Sequence, residues 1–204
     1  VYKKVREQKR VGRIMMIKST SRDYPTNCPI EYIKISGGQF VDQSVHDIDT
    51  VMWIAGEKPC SVYSVGHAFY KDIADVPDTD TVMIQMQFPS GIMASIDNSR
   101  RATFGYDTRL EVYGDKGMVT LENLRPSNVV THDEKGESVD CIYDHFSTRF
   151  KNAYNDELQS FVDYLKGKTE RMRITAQEAH DAVKVSKAAA ESYKKKIPIE
   201  LVWE

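Results

Sequence analysis

Apolar residues in the middle of the chain recur at every second position, which is the period of a half-buried β-strand. The clearest example is the segment TVMIQMQF, where one face carries Val82, Ile84, Met86 and Phe88 and the other carries Met83, Gln85 and Gln87. Comparable segments are residues 13–23, 61–70, 91–100, 109–123 and 129–140. Most of these follow one another across short turns, an arrangement that favours an antiparallel sheet.

Helical spacing is found near both ends of the chain. Residues 1–12 predict a short charged helix that ends at Gly12. Residues 150–167 predict a longer helix with an apolar stripe of Phe150, Tyr154, Leu158, Phe161 and Leu165. The last helix opens with a capping-box pattern, Thr175 followed by Glu178, ends before Pro198, and is followed by a short strand. Its predicted stripe of small residues is Ala176, Ala179, Val183, Ala190 and Tyr193.

These elements predict an α+β fold, a mostly antiparallel open-faced sheet with helices packed on one face. The sheet is rich in methionine, and Met83, Met86 and Met93 cannot all point into one core. A large sheet covered by helices on one side usually hides its other face in an oligomer. The pattern therefore indicates a homodimer or homotetramer formed through the open face.

One predicted helix, within GGQFVDQSVHDIDTVMWIAG at residues 37–56, carries acids and a histidine beside its apolar residues. The apolar stripe is predicted as Val41, Val45, Ile48, Met52 and Ala55, and a polar stripe of Asp42, His46, Asp49 and Trp53 is turned from it by about 100°. Side chains four residues apart on a helix meet. A carboxylate beside an imidazole orients the ring and raises its basicity, so such a pair transfers protons to or from a hydroxyl.

Two other interpretations of this helix remain open. In the first interpretation, Asp42 and His46 form an ordinary surface pair. In the second, Asp42, His46 and Asp49 bind a divalent metal ion. The glycine pair Gly37–Gly38 favours the catalytic interpretation, because glycine lets the backbone approach a ligand closely at the start of the helix.

Composition narrows the class of protein. The 204 residues suit one domain, and the net charge of −2 argues against a nucleic-acid partner. No apolar run is long enough for a membrane span. The three cysteines form no CxxC pair, which predicts free thiols in a cytoplasmic protein. The first residue, Val1, suggests a piece of a longer chain, and Arg100–Arg101 and Lys58 are predicted to be solvated.

Several motifs together resemble the Gfo/Idh/MocA oxidoreductases, and inositol 2-dehydrogenase-like members in particular. The segment at residues 37–49 resembles the family's GGxxxDxxxHxxD helix, and FGYDTRLEVYGDKGMVTLEN at 104–123 resembles its YDxRxExxGxxG segment. YKKVREQKRVGRI and TSRD resemble the link from the cofactor domain and the end of the first strand of the second domain. The two closing helices and IPIEL also fit.

The resemblance implies that residues 1–204 are the C-terminal substrate-binding and oligomerisation domain, and that the N-terminal Rossmann domain is absent from this chain. No GxGxxG follows a strand here. The EKP at 57–59 lies downstream of the helix, whereas the family's catalytic lysine lies upstream. NAD or NADP would therefore be bound mainly by the missing domain, and this chain alone would be inactive.

The resemblance also assigns roles to residues. His46 resembles the catalytic base, Asp42 the acid that orients it, and Asp49, Tyr106, Asp23 and Gly38 the substrate-binding set, with Asp107 nearby. The implied reaction is oxidation of a secondary hydroxyl of a sugar or polyol of the inositol type. The alternative is a non-enzymatic sugar-binding or protein-interaction module derived from this family.

Overall fold

A computed structural model describes residues 1–25 and 28–203. Within the predicted loop at 24–29, Thr26 and Asn27 lie outside the described residues. The architecture is α+β, with a seven-stranded sheet of order β6-β5-β1-β4-β3-β2-β9. Its strands are β1 (Ile14–Arg22), β2 (Ser61–His67), β3 (Thr81–Gln87), β4 (Met93–Ser99), β5 (Asp107–Gly114), β6 (Gly117–Leu121) and β9 (Ile199–Glu200). A separate hairpin consists of β7 (Val130–Asp133) and β8 (Gly136–Val139).

The pairing of the strands confirms the prediction of a mostly antiparallel sheet. β1 and β4 run parallel, with Met16 opposite Met93 and Thr20 opposite Asp97. The other paired strands of the described chain are antiparallel. The parallel pair matters for the site, because it brings the carboxyl ends of β1 and β4 to the same edge of the sheet.

The helices are α1 (Ile30–Ile33), α2 (Gln39–Asp42), α3 (Ser44–Ala55), α4 (Lys71–Ala74), α5 (Phe146–Arg149), α6 (Lys151–Leu165) and α7 (Ala176–Lys195). The predicted helix at 1–12 is shortened to a π-helical segment, Lys3–Glu7. A left-handed backbone at Lys9, with φ of 53°, turns the chain before Gly12. This turn allows both Val5 and Val11 to be buried in the core.

Two long helices, α3 and α7, pack on one face of the sheet, α3 against β1 and β4 and α7 against β2. The capping box predicted at Thr175 and Glu178 is present at the start of α7. Small residues bring α7 close to the sheet, as expected, and Ser64 Oγ donates to the Ala189 carbonyl at 2.5 Å. The predicted stripe was wrong in part, because Ala190 and Tyr193 pack against the core but Ala176 and Ala179 are exposed. The fully buried positions of α7 are Asp181, Ala182, Val185, Ser186, Ala188, Ala189 and Ser192.

The segment at 37–56 forms two helices rather than one, with a break at Gln43. The side-chain amide of Gln43 is buried and donates to the carbonyls of Ser21 (3.2 Å) and Ser99 (3.0 Å) at the ends of β1 and β4. The predicted core stripe was wrong in part, because Val41, Val45 and Met52 are only half-buried. The buried side of α3 instead comprises Ser44, Asp47, Ile48, Val51, Ile54 and Ala55.

Side chains of β3 alternate between buried and exposed, as the sequence predicted. On the face away from α3 and α7, Met83 is 55% exposed and Met93 is 50% exposed. Helix α6 has no buried residue, so its apolar stripe is not part of the core of this chain. Within the described residues, no helix combines the length and the apolar character required to cross a bilayer.

The burial of Ile48 at the interface of α3 with the sheet yields a test of the fold. Ile48 is fully buried, so Ile48→Ala removes buried methyl groups and leaves a cavity. We expect the free energy of unfolding to fall by about 2–5 kcal/mol, measured by urea denaturation. Ile35→Ala, at a site that is 83% exposed, is the control and should change it by less than about 0.5 kcal/mol. An equally small effect at Ile48 would contradict this packing.

Candidate active site

Polar side chains meet at the sheet edge where β1 and β4 end and β5 begins. Asp23 follows β1, Arg100 follows β4, and Tyr106 precedes β5. The loops are joined by backbone hydrogen bonds, from Asp23 N to the Ser99 carbonyl (2.8 Å) and from Ala102 N to the Asp23 carbonyl (2.7 Å). Residues that are distant in the sequence are thereby brought to one edge.

Arg100 is the centre of this edge, and its side chain is buried rather than solvated as the sequence predicted. It donates to Asp42 Oδ2 at 2.9 Å and to Asp78 Oδ2 at 3.2 Å. Burial acts to lower the pKa of the guanidinium, but the bond to Asp42 and the charge of Asp78 more than offset this and raise the pKa. Arg100 is therefore a permanent buried cation that holds two carboxylates.

The carboxylate of Asp42 is held on both oxygens. Arg100 donates to Oδ2, and the hydroxyl of Tyr32 donates to Oδ1. Among the described residues, no hydrogen bond joins Asp42 to His46, so the predicted contact between them is not formed. The physical reasons are the break at Gln43, which separates the two residues into different helices, and the competition from the buried arginine.

His46 lies in the first turn of α3 with its side chain exposed. The electrostatic interaction with His46 acts to lower the pKa of three nearby acids, Asp23, Asp47 and Asp49. No side-chain hydrogen bond of the imidazole is present within residues 1–25 and 28–203. The ring is therefore available to a ligand at an edge lined by carboxyl groups.

The carboxyl group of Asp23 is strongly perturbed by its surroundings at this edge. Burial raises its pKa from 3.8 to about 6, while the Cys28 thiol, Arg100 and His46 act in the opposite direction. The Cys28 thiol lies 3.4 Å from Asp23 Oδ2, and burial together with this acid raises the thiol pKa to about 12. Asp23 thus retains its proton to a higher pH than an ordinary aspartic acid.

The other predicted substrate-binding residues are arranged around this centre. Asp49 is half-buried one turn after His46, and burial raises its pKa, followed by the charge of Glu178. Tyr106 is half-buried, and burial followed by the charge of Asp23 raises its pKa to about 12. Gly38 precedes the first residue of α2 and has a φ of 92°, a backbone conformation that residues other than glycine rarely adopt.

Asp107, by contrast, is engaged within the protein. It is buried and accepts bonds from Arg109 (2.7 and 2.9 Å), Asn123 (2.5 Å) and Arg22 (3.4 Å). Burial acts to raise its pKa, but the bonds from Arg109 and Asn123 lower it overall. Asp107 therefore fixes the start of β5 and leaves little capacity for a substrate hydroxyl.

Asp47 is a site residue that the sequence analysis missed. It is 3% exposed and accepts bonds from Ser19 (2.5 Å), Ser21 (3.0 Å) and Asn98 (2.8 Å). Burial raises its pKa, against the lowering effect of these bonds. The signal was present, because Asp47 precedes Val51 and Ile54 at core spacing, but the stripe had been assigned to neighbouring positions. No sequence signal distinguished buried Arg100 from its neighbour Arg101.

Among the described residues, no group of three or more His, Cys, Asp or Glu side chains is arranged to hold a metal ion. Asp42, His46 and Asp49, which the sequence left open as a metal site, form no such group among the described residues. The metal interpretation therefore has no supporting geometry in this part of the chain.

Comparison with known proteins identifies similar domains. Residues 2–120 match the family model of the GFO/IDH/MocA C-terminal domain. An inositol 2-dehydrogenase from Rhizobium meliloti is 43% identical over 154 residues, which are 75% of this chain and 46% of that protein. The chain spans about half the length of the curated relatives it matches.

Solved structures resemble the whole of this fold. A myo-inositol dehydrogenase from Corynebacterium glutamicum matches with a TM-score of 0.92 and 28% identity, over 98% of this chain and 60% of that one. A scyllo-inositol dehydrogenase from Lactobacillus casei, with bound NAD(H) and scyllo-inositol, matches with a TM-score of 0.87 and 27% identity, over 97% and 58%.

The raised pKa of Asp23 gives a prediction for the pH dependence of stability. Because its pKa rises from 3.8 to about 6 on folding, the folded state binds the proton more tightly than the unfolded state between these values. Asp23 therefore makes stability fall as the pH rises from 3.8 to about 6, and the loss is complete above pH 6. We expect Asp23→Asn to remove this decline, so that the difference in unfolding free energy, variant minus wild type, increases across the window.

Urea denaturation at a series of pH values measures that difference. Asp133→Asn, at an exposed position on β7, is the matched control for the chemical change itself. A difference curve for Asp23→Asn that does not rise more than the control's would contradict a raised carboxyl pKa at this position.

Proposed function

The chain belongs to the GFO/IDH/MocA family, and from this premise we propose that it is the substrate-binding domain of an NAD(P)-dependent oxidoreductase. The proposed substrate is a sugar or polyol of the inositol class, oxidised at a secondary hydroxyl. We assign residues 1–204 to this one domain. Catalysis requires an N-terminal Rossmann domain in addition to it.

The observation that carries this proposal is the convergence of His46, Asp23 and Tyr106 beside the Arg100–Asp42 pair at one edge of the sheet. The imidazole is exposed, while the acids and the tyrosine around it are half-buried. Such a mixture of one free proton acceptor and several oriented hydrogen-bonding groups suits a neutral ligand with many hydroxyl groups. The names of the relatives point to the same class of ligand.

The chemical step assigned to this chain is the transfer of one proton from the substrate hydroxyl to a side chain. In oxidation of a secondary alcohol, the oxygen loses its proton, the carbon that bears this oxygen loses a hydride, and a ketone forms. His46 accepts the hydroxyl proton on its imidazole. Asp42 binds a neighbouring hydroxyl rather than orienting His46 directly, and Asp49, Tyr106 and Asp23 bind further hydroxyl groups. Gly38 sets the entrance to α2.

The hydride acceptor in this proposal is the nicotinamide of NAD or NADP. The described residues contain no strand followed by a glycine-rich turn and a helix of the kind that cradles a dinucleotide pyrophosphate. We therefore assign cofactor binding mainly to the Rossmann domain. The scyllo-inositol dehydrogenase of similar fold binds NAD(H), which supports the assignment of the cofactor class.

Binding of a polyol to this chain tests the proposal without the cofactor. Titration with myo-inositol and scyllo-inositol, followed by amide chemical shifts, should give saturable changes that cluster at Asp42, His46 and Tyr106. We expect His46→Ala and Asp42→Asn each to weaken binding about fivefold or more, since each removes a hydrogen bond to the ligand. His132→Ala, on the exposed strand β7, is the control and should bind normally.

Changes confined to other surfaces, or affinity that survives both substitutions, would contradict the assigned site. In the polypeptide that also carries the Rossmann domain, His46→Ala should lower kcat by about 10²–10⁴-fold. Polyol binding without turnover in that longer polypeptide would instead support a non-enzymatic sugar-binding module.

We also propose that the chain forms a homodimer or homotetramer through the sheet face that α3 and α7 leave uncovered. Strand register places Met118, Tyr113, Met16 and Met93 in one row across β6, β5, β1 and β4. Met118 is 54%, Tyr113 45% and Met93 50% exposed. A continuous apolar row of this kind is unusual on the surface of a monomer.

The oligomeric state tests this second proposal. We expect the chain to sediment as a dimer or tetramer, and Met93→Lys combined with Tyr113→Lys to shift it to a folded monomer, because two charges would then be buried at the interface. Ile35→Lys, at an exposed site outside the sheet, is the control and should leave the mass unchanged. A wild-type monomer at micromolar concentration, or a double variant of unchanged mass, would contradict this interface.

A further inference from the structure

A second polar site lies where α7 meets the end of the chain. A groove of about 390 Å³ is lined by Lys58, Asp181, Lys184, Lys187 and Trp203. Lys58 follows the C-terminal end of α3, whereas His46 is in the first turn of that helix. An α-helix of 12 residues is about 18 Å long, and this length separates Lys58 from His46. None of the groove residues belongs to the candidate active site.

Two of the three lysines that line the groove, Lys58 and Lys184, are held in place by the protein. Lys58 Nζ lies 2.6 Å from Asp181 and 4.7 Å from the centre of the Trp203 ring. Lys184 Nζ donates to the Val202 carbonyl at 2.5 Å and lies 4.6 Å from the same ring. The ring is itself fixed, because Trp203 Nε1 donates to the Pro59 carbonyl at 2.7 Å. Lys58 lies in the loop after α3, as the sequence predicts, and its side chain is 41% exposed, but it is paired with Asp181 rather than only solvated.

The charge of the groove is unbalanced. Burial acts to raise the pKa of Asp181, but the hydrogen bond from Lys58 lowers this pKa overall, so Asp181 is a carboxylate. Three lysines line the groove together with it. The lining thus carries an excess of two positive charges, although the whole chain has a net charge of −2. Lys187 is exposed and has no hydrogen-bond or ion-pair partner within residues 1–25 and 28–203. Each ammonium group has three donors, and Lys58 and Lys184 use only part of theirs on the protein.

We propose that this groove binds a small phosphate-bearing anion. The two fixed ammonium groups beside Trp203 would bind phosphate oxygens together with Lys187, and the volume leaves room for the remainder of a small molecule. Ammonium groups bind phosphate well as point charges, and bonds to charged acceptors are stronger than neutral ones. The lining residues belong to this chain and none of them is assigned above to polyol binding, so the proposal does not rest on the proposed function.

Fluorescence of Trp203 provides a direct readout. The chain has two tryptophans, so Trp53→Phe leaves Trp203 as the reporter. Titration of this variant with inorganic phosphate and with pyrophosphate, at constant ionic strength set by chloride, should give a saturable change, tighter for pyrophosphate. Lys187→Gln should raise the dissociation constant for pyrophosphate about fivefold or more, because one charged contact is lost. Lys194→Gln, on the same helix but outside the groove, is the control and should bind as the parent does.

The possible results separate clearly. A saturable change that is lost with Lys187→Gln and kept with Lys194→Gln supports the site. A change that does not saturate, or that chloride reproduces at equal ionic strength, means that salt only screens the lysine contacts to Trp203, and it overturns the proposal. Saturable binding of equal affinity in both lysine variants places the anion elsewhere and also overturns it. Because Lys187 has no hydrogen-bond or ion-pair partner in the described part of the chain, its substitution should leave the unfolding midpoint unchanged, which urea denaturation verifies.

Discussion

The burial of one guanidinium, that of Arg100, organises the edge of the sheet on which the candidate site is built. A buried cation costs several kcal/mol of desolvation unless opposite charges and hydrogen bonds offset it. Arg100 meets most of this requirement through its two terminal nitrogens, which donate to Asp42 on α2 and to Asp78 on the loop before β3, while its Nε is buried without a partner among the described residues. Asp78 also accepts the backbone amide of Gln39 at 2.9 Å, so the same carboxylate fixes the start of α2. Arg100 therefore ties the start and the end of α2 to the end of β4.

A buried carboxyl group, that of Asp47, fixes α3 in the same region. Its hydroxyl and amide partners come from β1 and β4, the two parallel strands. Gln43, between the two helices, donates to the last carbonyls of these strands. Polar groups buried in this way specify geometry, because any other placement of the helices would leave them without partners. His46 and Asp49 are thus positioned by their neighbours Gln43 and Asp47, although they are partly exposed themselves.

The sequence predicted the elements of this fold well and their buried faces less well. Alternation in β3, the capping box of α7 and the turns between strands are local signals, and each was confirmed where the structure describes it. The helix stripes failed at Gln43, Asp47 and Asp181 for a shared reason. Each is a polar residue buried by a specific hydrogen bond or ion pair, and a hydrophobic period places such residues on the solvent side. Arg100 was missed because its partners are 58 and 22 residues away in the sequence.

This misplacement changes what the site is able to recognise. The sequence suggested a carboxylate dedicated to His46, as in a paired acid and base. In the structure Arg100 and Tyr32 hold Asp42 instead, and the acid that responds to both Arg100 and His46 is Asp23, with a pKa of about 6. At this edge the single guanidinium of Arg100 is already paired with two carboxylates, Asp42 and Asp78, and the exposed imidazole lies beside groups that donate or accept hydrogen bonds. A ligand that carried its own charge would have to displace one of these pairs, whereas a neutral compound with several hydroxyl groups would bind without breaking them. On this physical ground we infer that the edge favours an uncharged polyol over a sugar acid or a phosphorylated sugar.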